Sequence, residues 1–470
     1  MNLKYLIFIL LLSTAVSSRA DGIPPSFRYG AEERARIEYF DHIPSKVDVP
    51  AYARNGENDY VRFRTRLWSE LDLLPSVTAR ARVVNESRAW IYPDVSQKPQ
   101  RSTSEWPDEW VFDNLYLEAR DLLDKTTDLR VGRQELIYGN GRVMLDGTPG
   151  DGSRTLYQNA VKASIKSIPE SKLDLFGIYN PAEDQWAING AQRDLSGFPK
   201  APEGVTESGA GMYLTNATLK NLPFESYLIY KKESAYNQPV KADAAGHFAP
   251  PPFAWQTVNP AAKELQNPDF DIETAGFRLM PVFNDNLTGN LEVAGQYGMH
   301  GDTDMHGYMV DASLAQKFAT TPALPVLKAD LYLLSGDNPG TDTDEGWNPI
   351  WSRCPQSSDL YVFAYDLEQS AARWSNLIDP NLSLSITPTK RTKTTASIHY
   401  LAAFEADGNG GGRERGWLGQ LREDVTLAEN SLRPKDKLIS HFLIECLEPG
   451  NYYKNDDTAL FARCEISYLF

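Results

Sequence analysis

Two neighbouring stretches, YVRFRTRLWSE at Tyr60–Glu70 and VTARARVVNESR at Val77–Arg88, decide the fold class. In both stretches the residues at alternate positions are mostly apolar, and arginine is the commonest residue at the positions between them. Alternation with a period of two is the pattern of a β-strand that has one apolar and one polar face. A soluble sheet would turn the arginines to water and bury the apolar face, whereas a transmembrane barrel would turn the apolar face to lipid.

The first residues have the features of an exported chain. MNLKYLIFILLLSTAVSSRADG has one early lysine, an apolar run over residues 6–12 and a Ser18-x-Ala20 pair. This pattern predicts a secretory signal peptide over residues 1–20, cleaved after Ala20. A membrane anchor is the alternative, but the apolar run is too short to span a bilayer. No later stretch reaches about 18 uninterrupted apolar residues, so no transmembrane helix is expected.

Composition and motifs exclude several function classes. The net charge of -16 argues against a nucleic-acid partner, and the three cysteines and six histidines show no metal-binding spacing. GDGSRT lacks the spacing of a nucleophile elbow, and GNGRVM lacks the spacing of a dinucleotide-binding loop. We therefore expect no enzymatic activity and no cofactor.

Segments with period-two alternation recur along the whole chain and are separated by turn residues. Because no linker or shift in composition divides them, residues 21–470 are expected to form one all-β domain. About eighteen strands are predicted, an even number, as in a closed antiparallel transmembrane barrel. They cover residues 28–41, 60–72, 77–90, 111–121, 127–134, 158–168, 172–179, 211–219, 224–232, 271–281, 286–297, 307–318, 325–335, 373–387, 392–405, 417–428, 436–447 and 459–470.

The connections between these segments are of two kinds. LLPS at 73–76 and IPESK at 168–172 are tight turns, whereas residues 180–210, 233–270 and 336–358 are long loops. Short periplasmic turns and long extracellular loops are typical of outer-membrane barrels. The last segment alternates up to the aromatic Phe470, which is expected to close the barrel. A soluble extracellular carbohydrate-binding or degrading β-protein is the alternative, but it does not account for strands of this length.

In a barrel, the polar face of the opening stretches lines the lumen. An arginine on the lipid face near the midplane would cost about 2–4 kcal/mol, so the register is well determined. Between Arg28 and Arg154 the chain has sixteen arginines and only three lysines, as expected where carboxylates are recognised by bidentate contacts. The arginines of the two stretches that are expected to face inward are Arg62, Arg64, Arg66, Arg80, Arg82 and Arg88.

This concentration of arginine has two interpretations. A cationic, anion-selective lumen would pass an acidic polysaccharide from one guanidinium to the next. Alternatively, the chain is a general porin whose arginines are balanced by acidic residues. The candidates for that balancing role are Glu32, Glu38, Glu70, Glu86 and Glu118.

Residues 129–155, LRVGRQELIYGNGRVMLDGTPGDGSRT, and the block at 334–355 resemble two motifs of the alginate-export family of outer-membrane proteins. The resemblance implies a monomeric eighteen-stranded barrel that passes alginate or a related polyuronate. By motif position it carries over as pathway residues Arg133, Arg142, Arg154 and, more weakly, Arg353. The family pattern does not fix direction, so import of acidic oligosaccharides remains an alternative to export.

The expected partners follow from this interpretation. They are an acidic polysaccharide or oligosaccharide, the lipid of the bacterial outer membrane, and the barrel-assembly machinery, which would recognise the C-terminal Phe470. Periplasmic secretion components are considered as further partners of an exporter. No nucleic acid is expected to bind.

Two smaller features remain. GDNPGTDTDEG brings together a weak candidate set of Ca²⁺ ligands, Asp337, Asp342, Asp344 and Glu345, although a solvated acidic loop is the preferred interpretation. If the last hairpin turns at residues 455–456, Cys446 and Cys464 lie opposite each other on the lipid-facing side. A disulfide between them is then possible, and Cys354 would remain free.

Overall fold

A computed structural model describes residues 26–44, 58–92, 104–105, 107, 109–145, 157–182, 205–234, 236–239, 264–352, 357–361, 364, 374–406, 411–454 and 457–470. The predicted signal peptide lies outside these residues. Twenty strands form one sheet, and two of them, Ser104–Glu105 and Val282–Asn284, are short additions to it. A separate pair joins Tyr236–Pro239 to Glu264–Asn267.

The other eighteen strands form the barrel. In chain order they are β1 (Phe27–Asp41), β2 (Asn58–Leu74), β3 (Val77–Tyr92), β4 (Trp110–Asp121), β5 (Thr127–Gln134), β6 (Gln158–Ile165), β7 (Ser171–Asn180), β8 (Glu207–Asn216), β9 (Phe224–Glu233), β10 (Phe270–Leu279), β11 (Leu287–His300), β12 (Thr303–Lys317), β13 (Val326–Leu334), β14 (Leu377–Thr389), β15 (Thr392–Ala402), β16 (Glu414–Glu429), β17 (Lys437–Pro449) and β18 (Ala459–Leu469).

The barrel closes on itself. Each strand pairs antiparallel with its neighbours in sequence, and β1 also pairs with β18, so that Glu38 lies opposite Arg463. The backbone of Phe470 exchanges two hydrogen bonds of 3.0 Å with Ala31. Closure removes the exposed sheet edges that lipid does not tolerate. The prediction of a closed antiparallel barrel with eighteen strands is confirmed.

The two rims differ as predicted. At the short-turn rim, residues 75–76, 166–170 and 390–391 join strands directly, and the single helical turn α1 (Leu122–Lys125) joins β4 to β5. At the long-loop rim, the connections include residues 181–206 and 335–376. No helix in the described part of the chain is long and apolar enough to cross a membrane.

The alternation of the opening stretch places its apolar residues outside. Phe63 and Leu67 are 41% and 49% exposed, whereas Arg62, Arg64 and Arg66 between them are buried. Exposed leucine, valine, phenylalanine and tyrosine side chains recur around the wall, which is the apolar belt of a barrel in lipid. The protein is therefore an outer-membrane β-barrel, as predicted, and the alternative of a soluble β-protein is excluded.

The hydrophobic core lies inside the barrel, because two loops fold into the lumen. The first inward loop is residues 135–145, and the second inward loop is residues 335–352 and 357–361. They are joined by a short parallel bridge: the Trp351 amide donates to Val143 O (3.2 Å), and the Leu145 amide donates to Trp351 O (3.4 Å). The loop residues that pack with lumen-facing wall residues in one core cluster are Leu136, Tyr138, Val143, Met144, Trp347, Ile350, Trp351, Leu360 and Tyr361.

Candidate functional site in the barrel lumen

The inward-facing arginines of β1, β2 and β3 lie side by side across three paired strands. In one row Arg36 lies opposite Arg62, which lies opposite Arg88, and in the next row Arg34 lies opposite Arg64. Like charges that face each other across strands repel, so this arrangement requires carboxylates close by. We call the group the arginine wall; its members are Arg34, Arg36, Arg62, Arg64, Arg66, Arg80, Arg82 and Arg88.

Glu38 is the carboxylate with the most arginine contacts in this group. It accepts a hydrogen bond from Arg463 at 2.7 Å and lies 3.3 Å from Arg36 and 3.4 Å from Arg62. Glu465 on the neighbouring strand contacts Arg36 at 2.7 Å. Because Glu38 is 1% exposed, these contacts replace water as its source of charge compensation.

The same pattern continues toward β4. Glu32 accepts a hydrogen bond from Arg64 (2.7 Å) and lies 3.5 Å from Arg66. Asp113 contacts Arg82 at 2.8 Å and Arg66 at 3.7 Å. The predicted balancing role is thus observed, since each of the five predicted acids pairs with at least one arginine: Glu32, Glu38, Glu70, Glu86 and Glu118.

Each of the two inward loops adds a carboxylate to this network. Glu135 pairs with Arg82, and Asp359 lies 2.6 Å from Arg463. Without them, seven guanidinium groups share five carboxylates, which leaves an excess of two positive charges. The guanidinium groups are Arg34, Arg36, Arg62, Arg64, Arg66, Arg82 and Arg463, and the carboxylates are Glu32, Glu38, Glu86, Asp113 and Glu465. With Glu135 and Asp359 in place, seven carboxylates match these seven guanidinium groups, so the inward loops decide how cationic this network is.

The first inward loop is held against the far side of the lumen. Arg142 donates to Asp311 Oδ2 on β12 (2.7 Å), and its guanidinium lies 3.9 Å from the centre of the Tyr332 ring. Asn140 donates to the same carboxylate (3.2 Å) and accepts from Arg278 (2.6 Å). Arg142, one of the residues carried over by the family resemblance, thus fastens the first inward loop inside the barrel.

An aromatic stack adds to this attachment. The Tyr138 ring stacks on Phe176 at 5.5 Å and on Tyr213 at 4.4 Å, and Tyr213 in turn stacks on Tyr227 at 5.5 Å. The next residue, Gly139, has a φ of 56°, and a Cβ there would lie 2.8 Å from the Tyr213 hydroxyl. Close packing of the loop on β7–β9 therefore explains why a glycine follows Tyr138.

The second inward loop is attached to the same side and continues to β17. Lys231 donates to Ile350 O (2.9 Å), which holds Ile350 at a φ of 55° that β-branched residues rarely adopt. Glu445 accepts from the Ser358 hydroxyl (2.7 Å) and the Leu360 amide (2.9 Å). Both loops thus pack mainly against β7–β17 and leave the arginine wall on the facing side.

Arg133 occupies a different position from the wall. It donates to Asn159 Oδ1 (3.0 Å) and Phe112 O (2.8 Å) and lies over the Tyr157 ring at 4.3 Å. These contacts support the corner between β4 and β6. Gly132 before it has a φ of 127° and lies against the β4 backbone, where a side chain would collide with Leu115 O.

Some predicted site residues cannot be placed, and others were missed. Arg154, Arg353 and Cys354 lie outside the described residues, so their roles stay predictions. Asp311, Arg278 and Arg463 contact the loops or the wall but were not selected from the sequence. The alternation of their strands gives their inward orientation, but only the fold shows which loop or charge each one meets.

The four acids named as a weak Ca²⁺ candidate do not form a metal site in the structure. In the described part of the chain no cluster of acids, histidines and cysteines is arranged to hold a metal ion. Glu345 instead accepts from the hydroxyls of Thr341 and Thr343, and the bond from Thr343 lowers the pKa of Glu345 to about 2. Asp344 is occupied by the Gly346 amide (2.8 Å). Asp337 lies close to Asp344 and Glu345 but forms with them no group that could hold a metal ion.

A disulfide between Cys446 and Cys464, possible from the sequence, does not form, because the strand register differs from the one assumed. Cys464 lies opposite Phe442, and Cys446 lies opposite Leu460, so the two cysteines are offset by four residues. That offset is about 13 Å along a strand, well beyond the reach of a disulfide. Both thiols are free and both lie on the lipid-facing side, as predicted.

This register leads to a first testable result. Denaturing the purified protein without reductant in the presence of an alkylating reagent should modify both Cys446 and Cys464, as read by peptide mass spectrometry. A Phe442→Cys variant, which places a cysteine opposite Cys464, provides the positive control for cross-linking. A native peptide pair joined through Cys446 and Cys464 would contradict the register.

Comparisons with known proteins identify the fold but no family. No family model matches this sequence, and no curated protein matches it. A solved BenF-like porin from Pseudomonas fluorescens Pf-5 has a TM-score of 0.58 at 9% identity, over 95% of this chain and 98% of that chain. Pseudomonas aeruginosa OccK2 (OpdF) in complex with glucuronate has a TM-score of 0.53 at 10% identity, over 95% and 96%. Pseudomonas aeruginosa OpdK with vanillate has a TM-score of 0.53 at 10% identity, over 94% and 98%.

These likenesses agree with the outer-membrane barrel and do not extend to alginate export. At such low identity they show the fold alone. The outer-membrane part of the sequence resemblance is therefore confirmed, whereas the nature of the solute that passes remains to be argued from the lumen. The chain is, in its fold, similar to outer-membrane porins of Pseudomonas.

Proposed function

We propose that this barrel is an anion-preferring porin that passes acidic saccharides between the arginine wall and the two inward loops. The observation that carries the proposal is the arrangement of the lumen. The arginine wall lies on β1–β3, whereas the two inward loops pack mainly against β7–β17. Most guanidinium groups of the arginine wall are buried by their ion pairs, so a solute would reach them by exchanging with the carboxylates that cover them.

The charge of the wall supports an anionic solute. An anion that approaches Arg82 or Arg463 competes with Glu135 or Asp359 for the same guanidinium group. Exchange of one carboxylate for another conserves the number of ion pairs, so the arginines need not lose compensation while the solute passes. The carboxylates of this network, Glu32, Glu38, Glu86, Asp113 and Glu465, are each already paired with arginine, which lowers their attraction for a cation.

Carboxylated sugars are the solute class that fits this lumen best. Arginine recognises a carboxylate through two parallel hydrogen bonds, which is more specific than the point charge of lysine. Two of the porins with a similar fold were solved with glucuronate and with vanillate, which are both carboxylates. We extend this to the present chain as part of the proposal.

Passage of a polymer such as alginate is a second candidate. It is favoured by the height of the wall, in which successive rows on β1 and β2 would hand a repeating carboxylate along the strands. It also requires more room, since the bridge between Val143 and Trp351 closes part of the lumen. A channel has no built-in direction, so export and import stay open in either case.

Electrical recording in a planar bilayer tests the proposal. We expect an anion-selective reversal potential and a current that is blocked by galacturonate oligomers but not by galactose oligomers of the same length. Arg64→Gln should weaken this block about tenfold, because a charge-assisted hydrogen bond contributes about 1.5–3 kcal/mol. Block that grows steadily with oligomer length would favour the polymer.

The matched control is Arg422→Gln. Arg422 pairs with Asp424 (2.9 Å) on β16, away from the wall, and its side chain is 34% exposed. Its loss should leave the block unchanged. A cation-selective current, or a block that is the same for charged and neutral oligomers, would overturn the proposed function.

A further inference from the structure

A second group of basic side chains lines a cavity near the short-turn rim. The cavity has a volume of about 180 Å³ and lies between β4 and β7. It is separate from the arginine wall, which lies on β1–β3. Its lining residues are Glu118, Asp128, Arg130, Lys162, Ser164, Lys166 and Lys172. Four cations against two carboxylates leave an excess of two positive charges.

Most of these charges already have a partner. Glu118 accepts from Arg130 at 2.6 Å, and Asp128 pairs with Lys166. Lys172 lies 3.2 Å from Asp174, which lies opposite Ser164 of the lining. The two carboxylates of the lining are thus occupied by two of its four cations.

Lys162 is the exception. It lies opposite Arg130 on β5 and opposite Phe176 on β7, and no carboxylate of the described residues forms an ion pair with it. It is half-buried, with the hydroxyl-bearing Ser164 two residues further toward the rim. Asp174 and Glu118 act on the Lys162 ammonium group without forming a direct ion pair, so an anion in direct contact would stabilise this partly buried charge further.

We propose that this cavity is a carboxylate-binding site at the short-turn end of the lumen, with Lys162 as the principal ligand. Arg130 adds a second cation, and Ser164 adds a hydroxyl donor. The site deepens the proposed function, on which it rests, because it gives an acidic saccharide a second binding position beyond the wall.

Amine footprinting tests the site without relying on conduction. The full-length barrel in detergent is treated with a lysine-acylating reagent, with galacturonate or galactose present, and modification is read by mass spectrometry. Galacturonate alone should slow the acylation of Lys162. Lys328 is the internal control, because it lies near the same rim on β13 and pairs with Asp330. Equal protection of both lysines, no protection, or protection by galactose would overturn the site.

A side-specific bilayer measurement adds a functional readout. Galacturonate added on the short-turn side should block current, and Lys162→Gln should weaken that block about tenfold, whereas Lys328→Gln should not change it. An unchanged block in Lys162→Gln would remove the site but leave the porin proposal standing. A channel that lacks anion preference, but in which galacturonate still protects Lys162, would overturn the porin proposal and leave the site standing.

Discussion

A barrel in which Glu38 is replaced by glutamine is expected to lose about 3–5 kcal/mol of its free energy of unfolding, because removing one member of a buried ion-pair network leaves uncompensated charge. Glu38 is the shared partner of Arg36, Arg62 and Arg463. Glutamine keeps the shape of the side chain but removes the negative charge. Three guanidinium groups that lie close together would then repel one another.

The position of Glu38 makes this effect larger than at other lumen acids. Arg463 belongs to β18 and Arg36 to β1, so Glu38 acts across the seam where the barrel closes. Weakening that seam exposes the edges of both strands, which lipid tolerates poorly. We therefore expect the variant to unfold from this seam.

Urea unfolding of the refolded barrel in lipid vesicles, followed by the heat-modifiable shift in gel mobility, measures the loss. Asp424→Asn is the matched control, because its single ion pair with Arg422 is 41% exposed on the carboxylate side. Such pairs contribute only about 0–1 kcal/mol. A midpoint for Glu38→Gln as close to wild type as that of the control would show that the network does not stabilise the barrel.

The wall of the barrel could be predicted from the sequence because each strand carries its own orientation signal. Arg62, Arg64 and Arg66 alternate with Phe63, and lipid penalises the opposite register. The same alternation predicted the strand count, and the lengths of the connections predicted the difference between the two rims. None of these features requires knowledge of which strands are neighbours beyond the order in the chain.

The contents of the lumen could not be predicted in the same way. Glu38 and Arg463 are separated by 425 positions, so their contact depends on closure of the whole barrel. The inward loops have no period that distinguishes them from loops outside the membrane. Their apolar residues, such as Val143 and Trp351, become informative only once an interior exists for them to fill.

The cysteine pair illustrates the limit of register prediction. A turn at residues 455–456 was consistent with the sequence, but β17 ends at Pro449 and β18 begins at Ala459. The alternation of side chains is insensitive to a shift of an even number of residues. It therefore placed Cys446 and Cys464 on the correct face while leaving them offset along the strand.

The loop bridge carries the other large expected effect: Trp351→Ala should raise single-channel conductance severalfold. Trp351 is fully buried, and its ring packs against Gly209 on β8 while its backbone holds Val143 and Leu145 of the first inward loop. Replacing a buried tryptophan by alanine costs about 3–5 kcal/mol. Because the barrel strands keep their backbone hydrogen bonds, the substitution weakens the attachment of the second inward loop and not the barrel itself. Release of the second inward loop would also withdraw Asp359 from Arg463 and make the lumen more cationic.

Conductance and reversal potential should therefore change together, and Trp417→Ala, which removes the same side chain from the exposed outer face, should change neither. A folded Trp351→Ala barrel with wild-type conductance would show that the solute path does not pass these loops.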